Sequence, residues 1–386
     1  MQQAPEALYI HIPFCTNKCH YCDFTSYILK GQPVDAYLDA LELEMQRTVE
    51  QCPPATIKTV FVGGGTPTVL TPQQMERFLA SVQRWFPLAS DVEFSMEANP
   101  GTTDLDKLRA MKQGGVNRIS FGVQSFDNEL LKRIGRIHEV EDVYRSLDYA
   151  RTVGFSNLSI DLMFGLPGQT TELLEQSVSK ALELDLPHYS LYSLKIEENT
   201  LFHKLYESNQ LILPTEEEEY SMYIHLMQRI AAAGYKHYEI SNFAKPGFES
   251  RHNSTYWRNE PYYGLGTGAH GYVNRLRHMN IKGVQPYIEA CKTKLPRLEQ
   301  YEISEQEAKE DYMMVGLRLL DGVTASRYKE QFPNAELEQD FGHIIDKQVQ
   351  LGLMERVKQQ GDVCYRLTAQ GLLLGNEVFA SFLAES

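Results

Sequence analysis

Along the first half of the chain, two hydrophobic patterns take turns. Short runs rich in β-branched and aromatic residues alternate with longer stretches whose apolar residues recur every three or four positions. Residues 8–12, 57–62, 92–96, 118–123, 158–163 and 189–194 are expected as strands. Between them, Leu38, Leu41, Met45 and Val49 mark one amphipathic helix over 34–52. Met75, Phe78, Leu79, Val82 and Trp85 mark a second over 72–86, with Thr71-Pro72 as N-cap and first helical position. Leu174, Val178, Ala181 and Leu184 mark a third. Strands that alternate with helices pair in parallel through helical crossovers. Six such units are fewer than the eight that close a complete barrel. The expectation is an α/β fold, a partial (β/α)6 TIM-like barrel, with a doubly wound sheet as the alternative.

The rhythm stops near Ile196. Residues 199–208 and 216–233 suit helices, the second opening on the acidic run Glu216 to Glu219 that fits a helix N-terminus. Residues 236–243 look strand-like. Residues 251–271, rich in aromatics and glycine, are expected as an ordered loop, and 272–277 alternates as a strand would. Past residue 296 come helices over 304–320 and 336–351, a hairpin of 353–357 with 363–367, and a last helix over 372–382. Ser304 with Glu307 forms a capping-box pattern. Helices followed by a hairpin suggest a smaller C-terminal α+β module of winged-helix type. The expected organisation is therefore a barrel over 1–235, an extension over 236–295 and the module over 296–386.

Charge and composition narrow the functions. Lys and Arg total 37 against 51 Asp and Glu, a net charge of −14, which argues against phosphate-driven nucleic-acid binding. No window approaches 18 consecutive apolar residues, so no membrane span is expected. The first residues lack the basic and apolar regions of a signal peptide, and a cytoplasmic protein is expected.

Three of the six cysteines fall within eight positions, Cys15-Thr-Asn-Lys-Cys19-His-Tyr-Cys22. This C-x3-C-x2-C loop follows the first strand, on the rim where α/β barrels carry their chemistry. Three thiolates can hold three irons of a 4Fe–4S cluster and leave the fourth free for a chelating ligand. Zinc is the competing occupant, with His20 and His11 nearby, although no second C-x2-C pair is present. After the second strand, Val62-Gly-Gly-Gly-Thr66-Pro67 offers a backbone that a ligand can approach closely. Later strands end on polar residues: Glu97, Gln124 and Asp161, with Arg136 after Ile134-Gly135. Each alone is more often structural; together on one rim they favour a ligand pocket. Gly266-Thr-Gly268-Ala-His-Gly271 fits the dinucleotide fingerprint but lies past the βα units, so nicotinamide or flavin binding carries little weight.

The cysteine loop, preceded by Tyr9-Ile-His-Ile-Pro-Phe14 and followed by Asp23-Phe24, resembles the signature of the radical S-adenosylmethionine (SAM) superfamily. The resemblance implies a 4Fe–4S cluster on Cys15, Cys19 and Cys22, and SAM that is cleaved to a 5′-deoxyadenosyl radical. It assigns SAM contacts to Tyr9, Gly64, Gly65, Thr66, Glu97, Gln124, Arg136 and Asp161. Within the superfamily, Ser159-Ile-Asp-Leu-Met-Phe-Gly-Leu-Pro-Gly-Gln169 and Tyr263-Gly-Leu-Gly-Thr-Gly-Ala-His270 resemble the oxygen-independent coproporphyrinogen III oxidase-like group. Its decarboxylases carry an additional Cys two residues after the third ligand, where this chain has Phe24, and an N-terminal extension ahead of the cluster loop, where Cys15 here is fifteen residues in. Its heme chaperone branch carries H-N-x-x-Y-W, matched by His252-Asn253-Ser254-Thr255-Tyr256-Trp257. That branch implies heme and client apo-hemoproteins as partners and His252 as a contact for heme iron. It leaves peripheral membrane association and a homodimer open. The leading expectation is heme binding and transfer, and the alternative is decarboxylation of coproporphyrinogen III. Cys52, Cys291 and Cys364 are expected to pack as small hydrophobes.

Overall fold

The computed structural model describes residues 4–359 and 361–383. The six expected strands form, each within a few residues of its expected bounds: β1 Ala7–Ile12, β2 Ile57–Gly64, β3 Leu88–Ala98, β4 Arg118–Gln124, β5 Asn157–Phe164 and β6 His188–Ser193. They lie side by side in chain order, every neighbouring pair parallel. Helices Val34–Gln51, Pro72–Trp85 and Thr171–Glu183 are the three that periodicity picked out. Thr71 caps the second of these through a full capping box.

The strands divide their two faces unusually. Ile119, Phe121 and Val123 of β4 are buried in one apolar core with Met75, Phe78, Leu108, Val143 and Leu147 of the flanking helices. The alternate residues point the other way and are polar: Arg118 and Ser120 on β4, Ser159 and Asp161 on β5, His188 and Ser190 on β6. Across that inner face Ser120 donates to Asp161 at 3.1 Å, and Ser159 bonds His188 at 2.7 Å. The apolar core thus lies on the helix side of these strands, and the inner face is polar and hydrogen-bonded.

The sheet does not end at β1. Strand Tyr262–Leu265 pairs with β1 in parallel, so seven strands share one direction rather than six. Strands His270–Val273 and Leu276–Asn280 follow as an antiparallel hairpin, correcting the single strand expected over 272–277. Its turn residues Asn274 and Arg275 have φ of 55° and 64°, as a type I′ turn requires. The loop expected over 251–271 also holds a helix, Arg251–Trp257, whose N-cap Ser250 accepts from the Asn253 N–H.

The chain divides into two compact units. One holds residues up to Lys236 with Phe243–Phe248 and Pro261–Gln300; the other holds His237–Asn242, Glu249–Glu260 and the residues from Tyr301 onward. Residues 236–295, expected as one extension, are thus shared between them. In the second unit, helices Glu305–Gly316, Ala325–Gln331 and Leu337–Gln350 precede the hairpin Met354–Gln359 and Asp362–Leu367, with Val323–Thr324 as a short third strand. The elements of a winged-helix module occur in that order. The expected last helix is two, Ala369–Leu373 and Gly375–Ala380, because Leu374-Gly375 interrupts the helical run. Among the described residues no helix is long and apolar enough to cross a membrane.

Candidate functional site

The cysteine loop leaves β1 and is clamped at both ends. At its start, the Asn17 side chain donates to Gly135 O at 2.8 Å, and the His20 backbone N–H donates to Ile134 O at 3.0 Å. The His20 carbonyl accepts from the Phe202 N–H. Its Nδ1 lies 2.9 Å from the Arg133 carbonyl, which can only accept, so Nδ1 carries the proton. The imidazole lies against Gly135, where a Cβ would come within 2.6 Å of the ring.

At the loop's exit, His11 does the holding. Its Nε2 donates to Thr25 O at 2.7 Å, so its Nδ1 is the acceptor for the Tyr9 hydroxyl at 2.9 Å. Burial pushes the His11 pKa down and the Tyr9 pKa up, so both stay neutral. The glycine-rich loop lies over this ring. A Cβ on Gly64 would fall 2.4 Å from His11, one on Gly63 2.7 Å from the Glu97 carboxylate, and one on Gly65 2.7 Å from the Phe14 carbonyl. Gly64 also has φ of 108°. The three glycines are required by contact as well as by conformation.

The polar strand ends converge on the same rim. Glu97 accepts from the Gly64 N–H at 3.1 Å, and its pKa is pushed up to about 7 by burial and by the neighbouring Asp161 charge. Burial also raises Asp161, against which its bonds to Ser190 and Ser120 act. Gln124 sits at φ 68° beside a bulge in β4, a left-handed conformation that turns its amide back over Gly122. Arg136 sends one terminal nitrogen to Cys19 Sγ at 3.4 Å and the other to Asn99 Oδ1 at 2.7 Å and to the Gly122 carbonyl.

All six cysteines are free thiols. Cys15, Cys19 and Cys22 are partly exposed, and Thr66 donates to Cys15 Sγ at 3.5 Å. Burial pushes the Cys22 thiol up to about 11 and raises Cys15, so deprotonation at neutral pH needs a bound metal. Three cysteines on one loop, with Thr66 and Arg136 donating to the sulfurs of Cys15 and Cys19, fit a cluster held by three thiolates.

The structure therefore gathers Tyr9, Gly64, Gly65, Thr66, Glu97, Gln124, Arg136 and Asp161 onto the rim that carries the cysteines. His252 belongs to the second unit. It is fully buried on helix Arg251–Trp257, with Nε2 2.8 Å from the Tyr256 hydroxyl. Trp257 of the same motif lies under the Arg318 guanidinium at 4.6 Å.

The Radical SAM superfamily profile matches residues 9–181. Over 98% of its length the chain is 45% identical to all of a protein named heme chaperone HemW from Bacillus subtilis. It is 41% identical to the heme chaperone HemW of Lactococcus lactis, across 100% of this chain and 99% of that one. The chain belongs to the HemW family of radical SAM proteins. Membership of the superfamily implies the 4Fe–4S cluster and SAM. Among solved structures, coproporphyrinogen III oxidase (HemN) from Escherichia coli superposes with a TM-score of 0.84 at 23% identity, covering 98% of this chain and 90% of that one. That likeness establishes the shared fold.

In this HemW family member, sequence reasoning missed several residues of the site. His11, which it weighed only as a zinc ligand, ties Tyr9 to the cysteine loop. Gly266 and Gly268, rejected as a dinucleotide motif and read only as part of the Tyr263–His270 family resemblance, press on the same place: a Cβ on Gly266 would meet the His11 carbonyl at 2.5 Å, and one on Gly268 the Thr25 side chain at 2.8 Å. The clue was Tyr262–Leu265 ahead of them, a parallel strand whose C-terminal end joins the active rim. Ser120 and Ser190 were findable as polar residues two positions from Gly122 and from Tyr192 on the inner face.

Proposed function

We propose that this protein binds heme and hands it to client apo-hemoproteins, and that it does so as a radical SAM protein with an assembled cluster. One observation carries the reading: the likeness to proteins named heme chaperone runs over 98–100% of the chain, and the chain's own sequence carries the His252–Trp257 motif. Cys15, Cys19 and Cys22 hold the cluster in this reading. Tyr9, Gly64, Gly65, Thr66, Glu97, Gln124, Arg136 and Asp161 line the SAM pocket. When bound, cluster and SAM together supply one-electron chemistry. The chain's own part is to orient them, exclude water and keep Glu97 and Asp161 over the pocket.

Transfer of heme from anaerobically reconstituted protein to an apo-hemoprotein tests the reading. Holo-protein appearing faster than from free heme supports it, and the free-heme rate refutes it. Alanine at Cys15, Cys19 and Cys22 abolishes the iron–sulfur absorbance, whereas alanine at Cys52, Cys291 or Cys364 leaves it. For His252 to ligate heme iron through Nε2, that nitrogen has to leave Tyr256. Tyr256→Phe removes that bond and tightens heme binding several-fold, while His252→Ala changes the heme spectrum. An unchanged spectrum in His252→Ala excludes it as ligand.

The retained pocket residues keep one second reading, decarboxylation of coproporphyrinogen III. Protoporphyrinogen formed from that substrate, with SAM and a reductant, would establish it.

A further inference from the structure

Two of the three cluster cysteines receive a side-chain hydrogen bond at sulfur, and one continuous chain of bonds links them. Thr66 Oγ1 donates to Cys15 Sγ at 3.5 Å. Asn99 Nδ2 donates to Thr66 Oγ1 at 2.8 Å. Arg136 donates to Asn99 Oδ1 at 2.7 Å and, from its other terminal nitrogen, to Cys19 Sγ at 3.4 Å.

The donor inventory fixes the direction of every bond. A guanidinium has no acceptor, so Asn99 turns its oxygen to Arg136. Its NH2 group therefore faces Thr66. The Thr66 hydroxyl oxygen accepts from that NH2 group, and its own proton is left for Cys15. Asn99 is itself held by its carbonyl, which accepts from the Thr102 backbone N–H and hydroxyl at 3.1 and 2.6 Å. The fold leaves room for this arrangement: a Cβ on Gly122 would come within 3.1 Å of both Asn99 Oδ1 and the Arg136 guanidinium.

We infer that Asn99 is a positioning residue for the cluster, which raises its reduction potential by aiming the Thr66 hydroxyl at Cys15 and the Arg136 guanidinium at Cys19. Hydrogen bonds to ligand sulfurs stabilise the extra negative charge of the reduced cluster. The inference rests on the cluster assignment. Iron content separates failure of that assignment from failure of the inference.

Asn99→Asp is the discriminating variant. A carboxylate accepts from Arg136 as the amide does, but offers no donor to Thr66. The Thr66 hydroxyl then donates to the carboxylate and leaves Cys15. The experiment reads the cluster midpoint potential of the reconstituted full chain by electron paramagnetic resonance, with four irons per chain as the control. Thr66→Val in the wild-type background lowers the potential: the ratio of reduced to oxidised cluster at a fixed potential falls about tenfold, equivalent to about 59 mV for a one-electron couple. Asn99→Asp shifts it in the same direction. Adding Thr66→Val to Asn99→Asp then moves it no further, because the Thr66 bond to Cys15 is already gone and the Ser26 bond is common to both backgrounds. Equal shifts from Thr66→Val in both backgrounds overturn the inference, as does an unchanged potential in iron-replete Asn99→Asp. In the iron-replete wild type the Fe–S(Cys) stretching bands move in D2O, because Thr66 and Arg136 bring exchangeable protons to the ligand sulfurs beside those of Ser26 and Tyr21, and bands that do not move overturn the inference.

Discussion

Glu97 shows how much of the site is decided by a single side chain's surroundings. Its carboxyl sits beside Asp161 and is held up to about 7 against an ordinary 4.5. A carboxyl with a raised folded-state pKa binds more protons folded than unfolded, so stability falls as pH rises between those two values. Glu97→Gln removes that slope. Urea midpoints of the apo-protein are expected to match the wild type near pH 4.5 and to exceed it above pH 7. A parallel pair of curves would show that burial does not raise this group. The residue was legible as polar at a strand end, but its protonation was not, because Asp161 is remote in sequence and lies two strands away in the sheet, where the shared inner face brings the two together. Asn99 was hidden for the same reason: Glu97-Ala-Asn99-Pro-Gly looks like an ordinary turn until Thr66 and Arg136 meet around it.

At the scale of elements, periodicity served wherever a helix or strand carried its own apolar face. It picked out Val34–Gln51 but not what Glu44 does there. Within Leu41-Glu-Leu-Glu44 that carboxylate looks like a solvated surface charge. It is fully buried, accepting from the Gly266 N–H, the Asn280 amide and the Tyr287 hydroxyl, with Arg297 3.6 Å away. Through Gly266 it ties the helix to the loop that presses on His11 and Thr25. Glu44→Ala strands these donors in the core and is expected to cost about 3–5 kcal/mol, read from denaturant unfolding. Gly64→Ala forces a methyl into the His11 ring at a left-handed φ, and iron incorporation should fall sharply while the helical circular dichroism is kept. Helix Arg251–Trp257 escaped notice because seven residues hold too few turns for a period to show. The hairpin turn Asn274-Arg275 escaped because arginine does not advertise a left-handed turn as glycine would.

At the scale of the molecule, the cluster cysteines and the rim residues belong to one unit and the His252 motif to the other. The two losses should therefore be separable: His252→Ala keeps iron content and SAM affinity within about twofold of wild type, and alanine at the three cysteines keeps heme binding. Loss of both properties in either variant would tie the units together energetically. The parallel strands meanwhile split their duties by face, with Ile119, Phe121 and Val123 holding the fold from one side and Arg118, Ser120 and Gly122 serving the pocket from the other. Because residue i and residue i+1 answer to different demands, selection can rewrite every second position of these strands without unbuilding the barrel.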